Sequence, residues 1–472
     1  MTPTAAARRT STAALGFTSS EAEVVLDDLD LEGRLPDWLA GSLLRTGPAR
    51  FEVGDRTVAH WFDGLAMLHR FSFAGGRVSY AGRFLRSRAF QAAERDGRLA
   101  FREFATDPCR SAFARVASLF SSDHGATDNG AVNVAVLGDK WLALTESPMP
   151  VEFDPRTLET LGVAEGPPGD HTTAHPHADG SELWGHAVRF GPRSSYLVYA
   201  QRPGGRRTVA TLPVRRPAYH HSFSLTPTRA VLAEGPFSVN PLRLALGRGS
   251  FAESFEWRPQ DGARFMAVDR ATGRPAGTWE AAPFFCFHHV NAFEEDGDLV
   301  VDLLAFEDAR IVSALSLGRL RDGEPTPLPQ LRRYRLRPGA RRAEAEVLAD
   351  ARFELPVIDY GAVNGRPYRH VWGVGAPADG GWFDRIVATD VVTGRQQIYR
   401  DPGTHPGEPV LAKRPGATRE DDGVLLSVVL EPERAASSLV VLDAATLEEL
   451  ARARVPHHIP FGFHGVHTTA VA

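Results

Sequence analysis

Cysteine occurs at only two of 472 positions, Cys109 and Cys286, which lie far apart and match no CxxC pattern. That usage supports neither a disulfide framework nor a thiolate zinc site, and it reads as intracellular. Lysine is equally scarce, confined to Lys140 and Lys413, although Lys and Arg together number 53. Set against 58 acidic residues they leave a formal net charge of -5, which excludes a strongly basic nucleic-acid binder because neutralising phosphates takes an excess of clustered cations. No apolar run approaches the roughly 18 residues that cross a bilayer, so any membrane contact has to be peripheral. Residues 1–20 also lack the unbroken apolar core of a signal peptide. They are expected to form a flexible N-terminal arm, with 21–472 as a single domain.

What the chain does have is punctuation. With 44 Gly and 34 Pro, long helices are disfavoured and short strands are expected between the breaks. Strand-length apolar or alternating runs recur at Arg77 to Phe84, Val132 to Leu137, Trp141 to Thr145, Tyr196 to Gln201, Leu299 to Leu304, Val424 to Leu430 and Ser438 to Leu442. Between them sit Gly75-Gly76, Asp96-Gly97, Asp179-Gly180 and Asp296-Gly297, pairs that accept positive φ and are read as hairpin turns. A weak repeat, D-x-x-T followed by Gly or Leu, starts at Asp154, Asp269, Asp390 and Asp443, each time after a short apolar stretch. It points to the repeating strand-turn-strand units of a β-propeller, or else to coincidence, since Asp and Thr are common turn formers. The best helical segment is Pro108 to Phe120, where Phe113, Val116, Leu119 and Phe120 recur at helical spacing beside Arg110 and Arg115. It fits a helix packed on the core, or a surface helix dipping into a membrane interface.

Histidine is the abundant ionisable oddity, with 17 copies. His60, His69, His124, His171, His405, His457 and His458 stand beside turns or in polar stretches and are set aside. Four places differ because the imidazole lies in or beside an apolar segment: AHPH at Ala174, HHSF at His220, FHHVN at Phe287 and FHGVH at Phe463. Four neutral imidazoles with no thiolate suit a borderline divalent ion such as Fe(II), Zn or Cu. Ligating histidines are usually held through their other ring N–H by carboxylates, which makes Glu146, Glu354 and Glu420 candidates as acidic residues at the edges of apolar stretches.

At these residues the sequence resembles the carotenoid cleavage oxygenases, the non-haem iron dioxygenases that include the retinoid isomerohydrolase of the visual cycle. The resemblance runs from about Leu31 to Thr469. It is carried by GRLPDWLAGSLLRTGPARFE at Gly33, HWFDGLAMLHRF at His60, TDNGAVNV at Thr127, LTESP at Leu144, AHPH, HHSFSLT at His220 and FHHVNAFEEDG at Phe287. FELPVI at Phe353, GEPV at Gly407, EDDGVLLSVV at Glu420 and IPFGFHG at Ile459 complete it. The fold implied is all-β, a seven-bladed propeller with short helices and loops capping the iron-bearing axial face. The resemblance assigns His175, His221, His288 and His464 as Fe(II) ligands, choosing His221 over His220 and His288 over His289. It assigns Glu146, Glu354 and Glu420 as the carboxylates bonding three of them, and puts Val132 and Thr145 beside the open iron position.

The function implied is oxidative cleavage of a conjugated C=C bond in a carotenoid or apocarotenoid by O2, giving aldehyde or ketone products. The partners are then O2 and a lipophilic polyene held in a tunnel, with the 27 Phe available as lining. No side chain is required as a general base. Peripheral contact with the inner face of the membrane through 108–120 is expected of an otherwise cytoplasmic protein. A stilbene-cleaving branch is disfavoured because Thr145 stands where those relatives place a Lys, and a retinyl-ester isomerohydrolase activity is the remaining alternative.

Overall fold

Seven antiparallel sheets close into a β-propeller in the computed structural model, which describes residues 12–107, 126–245, 249–350, 352–378 and 380–471. The first strands of the successive blades are Gly465–Thr468, Asn133–Leu137, His177–Asp179 with His171–Thr172, Ser224–Leu225, His289–Glu295, Phe353–Val357, and Val410–Lys413 with His405–Pro406. The ring is closed twice by chain ends. Gly465–Thr468 pairs with Gly41–Arg50, and Asp30–Gly33 pairs with Glu449–Val455 as the outermost strand of the last blade.

Strands in the middle of a blade are covered on both faces and read as continuous apolar runs. Gly423–Glu431 (GVLLSVVLE) and Asp298–Ala305 (DLVVDLLA) are buried almost throughout, whereas the outermost Thr160–Val163 and Glu344–Val347 are mostly exposed. Each blade then packs against the next through its own apolar layer. Leu44 and Leu68 meet Val134 and Phe153; Leu142 meets Leu183; Trp184 and Val198 meet Phe223 and Leu232. Further round, Phe265 meets Val301, Val300 meets Val371, Val374 meets Leu425, and Leu439 returns to Leu43. Burying a side chain of this size contributes roughly 1.5–3 kcal/mol, so these interfaces hold the ring together.

The D-x-x-T repeat marks the hairpin between the third and fourth strands of four blades. In each, the Asp side chain accepts backbone N–H groups from the next residues, as Asp154 does from Arg156 and Thr157 and Asp443 from Ala445 and Thr446. The following position is left-handed in all four, at Leu158, Gly273, Gly394 and Leu447, with φ of 58°, 70°, 71° and 60°. Glycine adopts that φ freely and leucine at a cost of about 1 kcal/mol or more. Buried Leu158 and Leu447 offset that cost with core contacts.

Three expectations need correction or delimiting. Residues 12–20 are not a loose arm: Thr12–Phe17 is a 3-10 turn whose Phe17 is fully buried against Trp61, Trp382 and Phe461. Asp96-Gly97 is no hairpin, because it ends the helix Arg88–Asp96. Gly97 at φ 59° caps that helix by donating to Ala93 O, and the Ser87 side chain caps its start. The segment Pro108 to Phe120 lies outside the described residues.

Candidate metal centre

Each of the seven blades delivers a residue to one end of the axis from at or beside its first strand. In blade order these are His464, Val132, His175, His221, His288, Glu354 and Glu408. The ring nitrogens of His175, His221, His288 and His464 lie within 4.8 Å of one another and could hold a metal ion. His175 Nε2 stands 2.9 Å from His221 Nε2, and His288 Nε2 stands 3.2 Å from His464 Nε2.

The carboxylates behind them fix which nitrogen faces inward. His221 Nδ1 donates to Glu146 Oε1 at 2.7 Å, His288 Nδ1 to Glu354 Oε2 at 2.5 Å and His464 Nδ1 to Glu408 Oε1 at 2.7 Å. With the proton held on Nδ1, the Nε2 of a neutral ring carries a lone pair. The short His288–His464 approach therefore sets two lone pairs against each other, an arrangement that a cation between them relieves. Neutral imidazoles backed by carboxylates are also the donor set a divalent ion prefers. The residues fit such an ion. His175 has no carboxylate partner among the described residues, and burial together with the neighbouring His464, His221 and His288 rings presses its pKa well below the usual value, which favours the neutral ligand form.

The backing groups are themselves anchored. Tyr219 donates its hydroxyl to both oxygens of Glu146 at 2.8 Å. Burial would raise that carboxyl, but His221, His171 and the hydroxyl hold it below the usual range. Glu354 Oε2 also accepts the Leu355 N–H at 2.8 Å; Leu355 has φ 52°, and the strand is irregular between Glu354 and Val357, which turns the carboxylate toward His288. Glu408 Oε2 accepts the Gly465 N–H at 2.9 Å. Buried Arg45 donates to the carbonyls of Glu408 and Phe463, 3.2 and 2.9 Å away, tying Glu408 and the residue before His464 to the first blade.

Glu420 does not take part. Its carboxylate accepts the backbone N–H groups of Arg369 and His370 at 2.9 to 3.0 Å, bracing the last blade against the sixth. It sits in the charged loop REDDG, while the place against His464 belongs to Glu408 in the apolar stretch GEPV. Among the acidic residues of the quoted blocks, Glu408 is flanked on one side by Gly and on the other by Pro and Val, and that apolar setting was the available signal. In each doublet the histidine outside the cluster points elsewhere. His289 Nδ1 bonds Ser224 Oγ at 2.6 Å, and the His220 ring packs on Tyr196 and His186. Adjacent residues of extended chain face opposite sides. Four of the histidines set aside by sequence, His60, His69, His171 and His405, are also buried. His60 bonds Val312 O at 2.9 Å, and His171 lines the cavity 4.0 Å from Glu146.

A cavity of about 750 Å³ opens onto this cluster, with His221, His288, His464, Val132 and Thr145 in its wall. Most of the remaining wall is apolar, including Phe62, Phe104, Phe251, Phe287 and Phe306 on one stretch and Leu328, Trp382 and Phe383 on another. A propeller that gathers four histidines at the wall of a largely apolar cavity defines a candidate metal centre beside a pocket suited to an apolar ligand.

The comparisons with known proteins agree. Residues 17–469 match the family described as RPE65: Retinal pigment epithelial membrane protein. The chain is 34% identical to the mitochondrial carotenoid-cleaving dioxygenase of Macaca fascicularis, over 92% of this chain and 90% of that one. It is 32% identical to carotenoid cleavage dioxygenase 8, chloroplastic, of Arabidopsis thaliana, over 96% and 85%. A solved variant of the Synechocystis apocarotenoid oxygenase superposes with a TM-score of 0.85 at 28% identity, covering 98% of this chain and all of the other. This chain belongs to the RPE65 and carotenoid cleavage oxygenase family.

Proposed function

We propose that this chain is a non-haem iron(II) dioxygenase that cleaves one conjugated C=C bond of a carotenoid or apocarotenoid with O2, releasing two aldehyde or ketone products. The observation that carries the reading is the opening of the tetra-histidine cluster into an apolar cavity of about 750 Å³, supported by the carotenoid-cleaving relatives.

His175, His221, His288 and His464 would hold the iron, with Glu146, Glu354 and Glu408 orienting three of the rings. Bound there, Fe(II) supplies a site at which O2 is activated beside the double bond. The chain's own work is positional. Three carboxylate-bonded imidazoles keep their Nε2 lone pairs aimed at one point without rotating, so little reorganisation is needed. Val132 and Thr145 stand in the wall beside the cluster and limit which face of it a substrate can approach. The aromatic walls align a rigid polyene and keep water from the reacting bond. No proton transfer is demanded of any residue, since both oxygens of O2 end in the two carbonyls.

No helix among the described residues is long and apolar enough to cross a membrane. We infer a cytoplasmic protein that meets the inner membrane face peripherally to collect its substrate. Leu242, 68% exposed beside the cavity residues Pro241 and Leu244, supports such contact. The function is tested by loading the protein with Fe(II), supplying O2 and either β-carotene or an apocarotenal, and identifying products by mass spectrometry. Paired carbonyl fragments support the reading, and intact polyene contradicts it.

A further inference from the structure

The cavity wall holds a buried carboxyl that the metal centre does not use. Glu103 is 5% exposed and lines the cavity beside Phe104 and Thr127. Its Oε1 accepts the Thr127 hydroxyl at 2.7 Å, and its Oε2 has no partner among the described residues. Of the other carboxylates on the wall, Asp107 is only partly buried and the rest are engaged. Glu146 and Glu354 bond His221 and His288, and Asp170 accepts the Phe190 N–H at 2.8 Å. Burial, reinforced by nearby Asp63 and Asp128 and opposed by the Thr127 hydroxyl, holds the Glu103 pKa well above the usual carboxylate range.

A neutral carboxyl is a hydrogen-bond donor, and one left unpaired in an apolar cavity loses about 1–3 kcal/mol relative to a satisfied one. The stretch with Leu328, Trp382 and Phe383 offers no equivalent: these side chains are apolar, and the Thr326 hydroxyl is taken by Gly381 O. Away from the metal cluster, the polar part of the wall therefore includes the stretch that holds Arg102, Glu103, Asp107 and Thr127, while Leu328, Trp382 and Phe383 are apolar. A hydrocarbon polyene would strand Glu103, whereas a polyene with oxygen at one end would satisfy it.

We propose that Glu103 donates a hydrogen bond to an oxygen at one end of the polyene, so that the preferred substrate is oxygen-terminated, an apocarotenal, apocarotenone or hydroxylated apocarotenoid, bound in one direction. This rests on the dioxygenase reading above and narrows it. One anchored end fixes the distance along the chain to the metal cluster, and hence which double bond is presented.

The test compares an apocarotenal with the hydrocarbon of equal polyene length that lacks the aldehyde oxygen. Wild type is expected to favour the apocarotenal by about tenfold in kcat/KM, carried in KM, as one buried hydrogen bond provides. Glu103→Leu should erase that preference by raising KM for the apocarotenal alone, while Glu103→Gln, whose amide still donates, should retain most of it. Equal loss on both substrates in a Glu103→Leu protein of normal iron content would overturn the proposal, as would a wild type with no preference. If Glu103→Leu fails to fold, the wild-type preference and its retention in Glu103→Gln decide the matter. Absence of cleavage with every polyene would count against the dioxygenase reading instead. In that case tryptophan quenching by the two polyenes still reports whether the oxygen end binds about tenfold tighter, and equal binding overturns the proposal.

Discussion

His464 Nδ1 lies 2.7 Å from Glu408 Oε1, and the other oxygen of Glu408 accepts the backbone N–H of Gly465, the residue next to that histidine. The carboxylate thus grips ring and backbone together. Glu408→Gln keeps the shape but removes the charge that favours the donating Nδ1–H. Iron affinity should fall about 10- to 100-fold, the range for loss of a ligand's supporting carboxylate. Glu420→Gln should leave iron content unchanged, since Glu420 serves the Arg369 and His370 amides. Metal analysis after dialysis checks both, and equal iron loss would contradict the assignment.

Arg45 ties the same region to the first blade through the carbonyls of Glu408 and Phe463. Burial lowers its pKa, while the charge of Glu408 acts to keep it protonated. Arg45→Met leaves two buried carbonyls and a carboxylate without their cation. Unfolding in urea should show a loss of about 2–4 kcal/mol. A loss below about 1 kcal/mol would mean that water replaces the guanidinium.

The histidine doublets divide their labour by direction. His288→Ala should abolish iron retention, because its Nε2 belongs to the cluster. His289→Ala should keep most of the iron and lose about 1–2 kcal/mol of stability with its Ser224 bond. The check is iron content against melting temperature for the two variants, and equal iron loss in both would contradict the choice of His288.

Asp63 is fully buried, accepts from Ala105 N–H and the Thr106 hydroxyl, and is pushed by burial from 3.8 up to about 6. A carboxyl raised on folding binds its proton more tightly in the native state. Its stabilising contribution is therefore complete below about pH 3.8 and lost as pH rises through about 6. Asp63→Asn should flatten the pH dependence of unfolding free energy between about pH 4 and 6, and an unaltered slope would contradict the shift.

The sequence exposed those parts of the fold that depend on local pattern. Val424 to Leu430 and Leu299 to Leu304 are central strands covered on both faces, so their apolar runs announce them. The D-x-x-T turns close through contacts within a few residues and were equally visible. The helix Arg88–Asp96 was not, because RAFQAAERD is short and its caps, Ser87 and Gly97, also read as loop and hairpin residues. At the site, the histidines were recognisable from family blocks, yet Glu420 was preferred to Glu408. Which carboxylate reaches His464 depends on how the last blade meets the first, and no local spacing encodes that. His171 and Glu103 were missed for a related reason. His171 stands among polar neighbours and Glu103 in the short stretch FREF, and each becomes cavity wall only when Phe251 and the ring of blades close around it.

The central claim is that a tetra-histidine iron site in this chain cleaves polyenes with O2. Its most direct test is to incubate the Fe(II)-loaded protein under ¹⁸O2 with β-carotene, apocarotenals and resveratrol, with an anaerobic control, and to quench quickly for mass spectrometry. Paired carbonyl products from a carotenoid or apocarotenoid, each carrying ¹⁸O, are expected under ¹⁸O2, and none without oxygen. Cleavage of resveratrol alone, or carotenoid conversion that proceeds without O2, would contradict it.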